Sequence, residues 1–76
     1  MELRQYLNGM TASEQANFAK RCDTSVGYLR KALSINQLLG PALCVSIERE
    51  SIRQVTRQEL RPNDWQSLWP ELAQAA

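Results

Sequence analysis

The feature that most constrains this chain is a three-residue break, Asp23-Thr24-Ser25, between two segments with helical spacing of apolar residues. Before the break, Thr11 and Glu14 form a capping box, which predicts a helix running to about Cys22. The serine that ends the break suits the N-cap of a further helix that reaches Leu33. Because so few residues separate them, the two predicted helices must pack directly against each other.

The spacing of three residues within these segments fits a helix-turn-helix. Ala19 supplies the small side chain needed where the helices cross, Cys22 is the apolar residue before the turn, and Leu29 lies ten positions after the alanine. The polar residue Gln15 stands near the start of the first helix. We therefore predict a helix-turn-helix in which Ser25 to Leu33 form the helix that enters the major groove of DNA.

The remaining segments also have helical patterns, which predicts one all-α domain over residues 1–76. We expect a small bundle of five or six helices with little or no sheet. Gly40-Pro41 opens a helix, and Pro70 distorts the last helix or ends it early. Residues 52–55 fit a helix least well and could be extended. The predicted helices cover residues 2–8, 11–22, 26–33 and 41–51, a turn begun by a second capping box at 56–59 and ended by Pro62, and a last helix carrying residues 65–72.

Composition narrows the class of function. The chain has two cysteines and no histidine, so a zinc site lacks ligands, and Cys22 and Cys44 are expected to be reduced core residues. No apolar run reaches the roughly 20 residues of a membrane helix, and the first ten residues lack the pattern of a signal peptide, which indicates a cytoplasmic protein. Without histidine, a phosphate-binding loop or a metal cluster, we expect neither an enzyme nor a cofactor.

Positive charge is concentrated locally, although the net charge is only +1. Lys20, Arg21, Arg30 and Lys31 fall within twelve residues that contain a single acid, Asp23. Such a cluster can bind phosphate even when the total charge is near zero. A later series of arginines could add a second phosphate track, but for most of it we favour salt bridges with nearby glutamates. The series is Arg49, Arg53, Arg57 and Arg61, and the glutamates are Glu48, Glu50 and Glu59.

The predicted helix pair and the segment that ends the domain resemble the Cro-type repressor family, and more closely its YdaS-like group of antitoxins. The resemblance covers Gln15 to Trp65, and its most specific part is the ending, Val55-Thr56-Arg57 followed by Glu59-Leu60-Arg61-Pro62. It implies a lambda-repressor-like fold and a sequence-specific regulator that binds double-stranded DNA, either a repressor or an antitoxin-type autoregulator. The resemblance also implies a phage or prophage setting, association with the nucleoid, and a toxin or another regulator as a protein partner. Asp23 stands where the family usually has glycine.

The geometry of a helix-turn-helix assigns roles to individual side chains, since the start of the second helix reaches base edges and the first helix lies across the backbone. Arg30 can read guanine, whereas Gln15 lies near a helix N-terminus that favours phosphate. Ser25 either contacts DNA or only caps its helix, and Tyr28 either contacts the sugar-phosphate backbone or packs against the first helix. The full set of candidate DNA contacts is Gln15, Ser25, Val26, Gly27, Tyr28, Arg30 and Lys31.

The end of the chain carries more aromatic surface than a small core requires. Trp65, Leu68 and Trp69 either cover the open side of the bundle or form the interface of a weak homodimer. A dimer would place two reading helices about 34 Å apart, one turn of DNA. The alternative to a DNA-binding regulator is a protein-interaction module that reuses the fold, such as an antirepressor, and the weak net charge is its support.

Overall fold

The computed structural model describes residues 1–73, and these residues form seven helices and no strand. The prediction of an all-α bundle is confirmed. The helix count exceeds six because Pro70 divides the predicted last helix in two. None of the described helices is long and apolar enough to cross a membrane. The helices are α1 (Leu3–Asn8), α2 (Ala12–Arg21), α3 (Val26–Ser34), α4 (Pro41–Glu50), α5 (Arg57–Leu60), α6 (Trp65–Leu68) and α7 (Pro70–Ala73).

Both predicted capping boxes are confirmed. At the start of α2, the Glu14 amide donates to the Thr11 hydroxyl at 3.2 Å, and the Thr11 amide donates to the Glu14 carboxylate at 2.8 Å. The same pair of bonds joins Thr56 and Glu59 at the start of α5, at 3.2 and 2.9 Å. Each box satisfies two backbone amides that a helix start leaves without partners, so these two starts depend on four neighbouring residues alone.

The core is a single cluster of buried apolar side chains, and α1 to α4 each contribute residues from one face of the helix. Phe18 of α2 is fully buried, and the ring of Tyr6 from α1 meets it edge-on at a centroid distance of 5.1 Å. Aromatic rings prefer this edge-to-face arrangement because the ring edge is positive and the face negative. The largest of the apolar side chains that are less than 2% exposed are Leu7, Phe18, Leu29, Cys44, Ile47 and Val55.

Three turns contain non-glycine residues in the left-handed region, and one of these residues is Asn36, with φ of 54°. Asp23, in the break between α2 and α3 where the resembled family usually has glycine, has φ of 60°. The prediction that residues 52–55 are extended is wrong, because Ile52 and Arg53 form a tight turn with φ of 55° and 63°. The buried Ser51 holds this turn, since its hydroxyl accepts from the Val55 amide at 3.1 Å. That local hydrogen bond replaces the strand pairing that an extended segment would need.

The end of the described chain closes the open side of the bundle. Pro70 has no amide hydrogen, and α6 ends at Leu68 just before it, as predicted. Trp69 is only 8% exposed and belongs to the core, where the Arg57 guanidinium lies 5.2 Å from the centre of its ring. Of the two roles expected for Trp69, its burial favours closing the open side of the bundle over facing a second copy of the chain, because its surface is used within the protomer. Trp65 and Leu68 are half-buried against the same core.

The turn after α4 generates a prediction about stability. Ile52 is 84% exposed and β-branched, and the left-handed conformation costs such a residue roughly 1–2 kcal/mol. We expect Ile52→Gly to raise the free energy of unfolding by about 0.5–1 kcal/mol, because glycine adopts this conformation without that cost. Urea unfolding followed by circular dichroism measures the change.

The matched control is Ala16→Gly, at an exposed position inside α2 with ordinary helical geometry. It should lower the free energy of unfolding by about 0.5–1 kcal/mol, because a helix interior disfavours glycine. A loss of stability in both variants would contradict the left-handed turn at Ile52.

Candidate nucleic-acid interface

The crossing of α2 and α3 has the register expected of a helix-turn-helix. Ala19, Cys22 and Leu29 are 1%, 3% and 0% exposed, so all three predicted crossing residues are buried. The Thr24 amide donates to the Ala19 carbonyl at 2.9 Å across the left-handed Asp23. This bond closes the end of α2 and turns the chain directly into α3.

The outward face of α3 is accessible along most of its length. Ser25, Gly27, Tyr28 and Lys31 are exposed, whereas Val26 is half-buried and packs against the core. A methyl group added at Gly27 would meet only the Ser25 hydroxyl, at 4.0 Å, so this point on the helix admits close approach of a ligand. The accessible strip therefore begins in the first turn of α3, where a recognition helix usually meets base edges.

Ser25 and Tyr28 have hydrogen-bond partners in the free protein. The Ser25 hydroxyl accepts from the Tyr28 amide at 3.1 Å, so Ser25 is the N-cap of α3 and its side-chain oxygen is engaged. Tyr28 is 45% exposed, and its hydroxyl accepts a hydrogen bond from the side-chain nitrogen of Gln37 at 3.5 Å. Tyr28 therefore points towards the loop after α3, and its ring is available at the surface.

A hydrogen bond between α2 and α3 links the two residues to which the sequence assigned separate roles. The Arg30 guanidinium donates to the Gln15 side-chain oxygen at 3.2 Å, and both side chains are half-buried. The Gln15 amide nitrogen in turn donates to the Met10 carbonyl at 3.0 Å. Gln15 thus orients Arg30. Sequence reasoning missed this contact because the two residues are fifteen positions apart and only the helix crossing brings them together.

The charges divide the molecule into two unequal parts. Residues 1–35 carry five basic and three acidic side chains, whereas the rest of the chain carries four basic and five acidic ones. Among the described residues, five cations have no acidic group within 4.0 Å, and four of the five lie in α1 to α3. They are Arg4, Lys20, Arg30 and Lys31, with Arg53 as the fifth. Two of these unpaired cations, Arg30 and Lys31, lie on α3 itself.

The later arginines are mostly neutralised, as expected. Arg57 pairs with Glu48 at 3.0 Å, and Arg49 binds Glu50 at the same distance. The hydrogen bond from Arg49 lowers the pKa of Glu50, which also accepts from Arg21 at 3.2 Å. The expectation for Glu59 is wrong, because this carboxylate binds the amine of Met1 at 2.7 Å and no arginine. The capping box holds Glu59 beside α1 and out of reach of the arginine series.

The two remaining arginines of the series differ from each other. Arg61 binds both oxygens of Asp64, at 3.1 and 2.8 Å, and donates to the Leu39 carbonyl at 2.7 Å. Its guanidinium therefore joins the segment after α5 to the loop before α4. Arg53 lies exposed on the left-handed turn. The arginine series is thus chiefly structural, and the candidate interface is the α2–α3 pair.

The cysteines have the surroundings of core residues. Cys22 and Cys44 are both free and buried, and burial raises the pKa of each thiol to about 11. Within the part of the chain that the structure describes, no three side chains of the metal-binding types come together. The described residues therefore offer neither a thiolate nucleophile nor a metal cluster.

Comparison with known proteins adds nothing to the geometry. No protein-family model matches this chain, and no curated protein is significantly similar to it. The case for a function thus depends on the buried crossing, the accessible face of α3 and the distribution of charge.

The buried thiols generate a chemical prediction. A thiol with a pKa of about 11 is about one part in a thousand thiolate at pH 8, and the thiolate is the reactive form. We expect neither cysteine of the native protein to react with a chromogenic disulfide reagent at pH 8, and both to react once the chain is denatured. Ser13→Cys, at an exposed position of α2, is the positive control and should react at once. Rapid labelling of the unmodified native chain would show that Cys22 or Cys44 is open to solvent.

Proposed function

We propose that this chain is a sequence-specific regulator of transcription that binds double-stranded DNA, acting in the cytoplasm on the nucleoid as a Cro-like repressor or an antitoxin-type autoregulator. One observation carries the proposal. The crossing residues of α2 and α3 are buried, while Gly27, Tyr28 and Lys31 on the outward face of α3 remain exposed. A short helix presented in this way fits the major groove, which is wide enough to admit it.

Arg30 is the residue to which we assign base recognition. Its guanidinium is oriented by the Gln15 oxygen, which occupies one donor and leaves others to meet the two acceptors of a guanine edge. A side chain that is already ordered loses less conformational entropy when it binds. Gln15 therefore acts in two ways. It contacts phosphate near the start of α2, and its hydrogen bond orients the Arg30 guanidinium.

Lys20 and Lys31 supply the charge that neutralises phosphate. Both are exposed, and neither has an acidic neighbour within 4.0 Å among the described residues. Contacts of this kind add affinity without sequence preference and weaken as salt concentration rises. A second copy of the chain is the proposed partner on the operator, because a dimer doubles these contacts over two half-sites. Trp65 and Leu68 remain candidates for its interface.

The alternative function is a protein-interaction module of the antirepressor type. Its support is that four of the nine basic side chains are engaged in ion pairs within the protomer, which leaves a modest positive field. Such a module would bind another regulator, including a toxin, and would have little affinity for DNA. The salt dependence of DNA binding separates the two functions, since for a phosphate-binding protein the logarithm of the binding constant falls linearly with the logarithm of salt concentration.

The test begins with selection of bound sites from random duplexes, followed by titration of variants against the selected site, its single-base variants and random DNA at one salt concentration. We expect Arg30→Ala to lose about 1–3 kcal/mol of discrimination at one base pair. Lys31→Ala should weaken binding to every duplex by a similar factor. Gln15→Ala should reduce both affinity and discrimination, and its effect should not add to that of Arg30→Ala, because the two side chains share a hydrogen bond.

The matched control is Arg53→Ala, which removes an exposed, unpaired arginine outside the helix pair and should leave DNA binding unchanged. If Arg30→Ala kept every base preference of the unmodified protein, α3 would not be the reading element. If no selected site emerged and binding did not respond to salt, the protein-interaction function would replace the proposal.

A further inference from the structure

An apolar groove lies at the C-terminal end of α3, away from the first turn that we propose contacts the base edges of DNA. It has a volume of about 370 Å³ and lies between the start of α1, the end of α3 and α5. Leu38, on the loop after α3, is 56% exposed and lines it, and Ile35 beside the loop is 57% exposed. Apolar side chains supply six of the eleven other lining residues: Leu3, Ala32, Leu33, Leu39, Leu60 and Pro62. The polar ones are Glu2, Arg4, Asn36, Gln37 and Glu59. The groove and these projecting side chains form a patch of the kind that marks an association surface.

Three charged side chains line this groove, and one of them, Glu59, is paired with the amine of Met1, which leaves one free charge of each sign. Glu2 and Arg4 both line it, and neither has an oppositely charged group within 4.0 Å among the described residues. Arg4 donates only to the Leu33 carbonyl, at 3.1 Å. Under two-fold symmetry, a contact between residues i and j occurs twice, with the two chains exchanging roles. A rim that holds both signs is therefore complementary to a second copy of itself.

The other exposed apolar residues of the described chain lack this combination. Ile52 is more exposed, at 84%, but it projects alone from a tight turn and lines no described groove. Trp65 and Leu68 are half-buried against their own core. The groove beside Tyr28 and Pro41 is lined by a single charged residue, Asp23, so of these two grooves the one after α3 combines a projecting leucine with rim charges of both signs.

We propose that this groove is the surface on which two copies of the chain pair. Leu38 of each copy enters the groove of the other, and Arg4 of each faces Glu2 of the other. The apolar contact supplies the affinity, whereas exposed rim charges chiefly set the orientation. The inference rests on the proposed function in one respect, that the dimer it describes is the one expected on DNA. It places the interface beyond the C-terminal end of α3, so Gly27 and the rest of the first turn stay uncovered.

Sedimentation equilibrium without DNA tests the surface. We expect the unmodified protein to dimerise reversibly and Leu38→Glu to weaken the dimer about tenfold or more, because a charge would then be buried in each groove. Ile52→Glu is the matched control, since it places the same charge on another exposed apolar site and should leave the dimer unchanged. Thermal unfolding of each variant verifies that the fold is retained.

A charge exchange tests the orientation. Arg4→Glu and Glu2→Arg should each weaken the dimer about threefold or more, since both symmetric pairs are lost. The doubly substituted chain should recover the dimer, because the exchanged charges attract again across the two-fold axis. A merely structural role for Arg4 would give no such recovery.

Three results would contradict the pairing of two copies at this groove. A protein that stays monomeric at its highest soluble concentration, a Leu38→Glu dimer as strong as the unmodified one, or a doubly substituted chain that fails to recover would overturn the proposal. The first result would leave the groove to a different protein, and the second would favour the region of Trp65 and Leu68. Failure of the DNA-binding function is separate, because it would appear as a dimer that binds no duplex. Leu38→Glu should still bind a single half-site.

Discussion

The rest of the structure depends on the close crossing of α2 and α3 at Ala19. Its small side chain is buried, so the two helices can approach, and the Thr24 amide bonds its carbonyl across the left-handed Asp23. A larger residue at this point would force the helices apart, because a packed core absorbs extra volume only by shifting its backbone. Leu29 would then leave the core, and the outward face of α3 would turn away from its present direction. The crossing thus determines both the stability of the bundle and the direction in which Arg30 can point.

The C-terminal third completes this core and has little stability of its own. Helices of one turn are unstable in isolation, and α5, α6 and α7 are each four residues long. Their order comes from tertiary contacts, chiefly burial of Trp69 under Arg57 and the ion pair between Arg57 and Glu48. Arg61 extends the effect to the Leu39 carbonyl. The segment that closes the bundle therefore also positions the loop after α3.

Local chemistry explains which parts of the fold could be predicted. The capping boxes at Thr11 and Thr56, the helix start at Pro41 and the interruption at Pro70 each depend on a few adjacent residues, and each is confirmed. The extended conformation expected at residues 52–55 is wrong because the hydrogen bond that shapes the turn comes from the side chain of Ser51, which apolar periodicity does not reveal. The choice between a core role and an interface role for Trp69 needed the tertiary structure, because an aromatic pattern is the same for a core residue and for a surface residue.

The sequence by itself determined the all-α class, the order and approximate limits of the longer helices, and the register of Ala19, Cys22 and Leu29. These features follow from backbone hydrogen bonds and apolar spacing within a few residues of each position. Only the tertiary structure decided that Gln15 orients Arg30, that Trp69 lies in the core, and that Glu2 and Arg4 share the rim of an apolar groove with Leu38. Such contacts join residues far apart in the chain, and their distances are set by how whole helices cross.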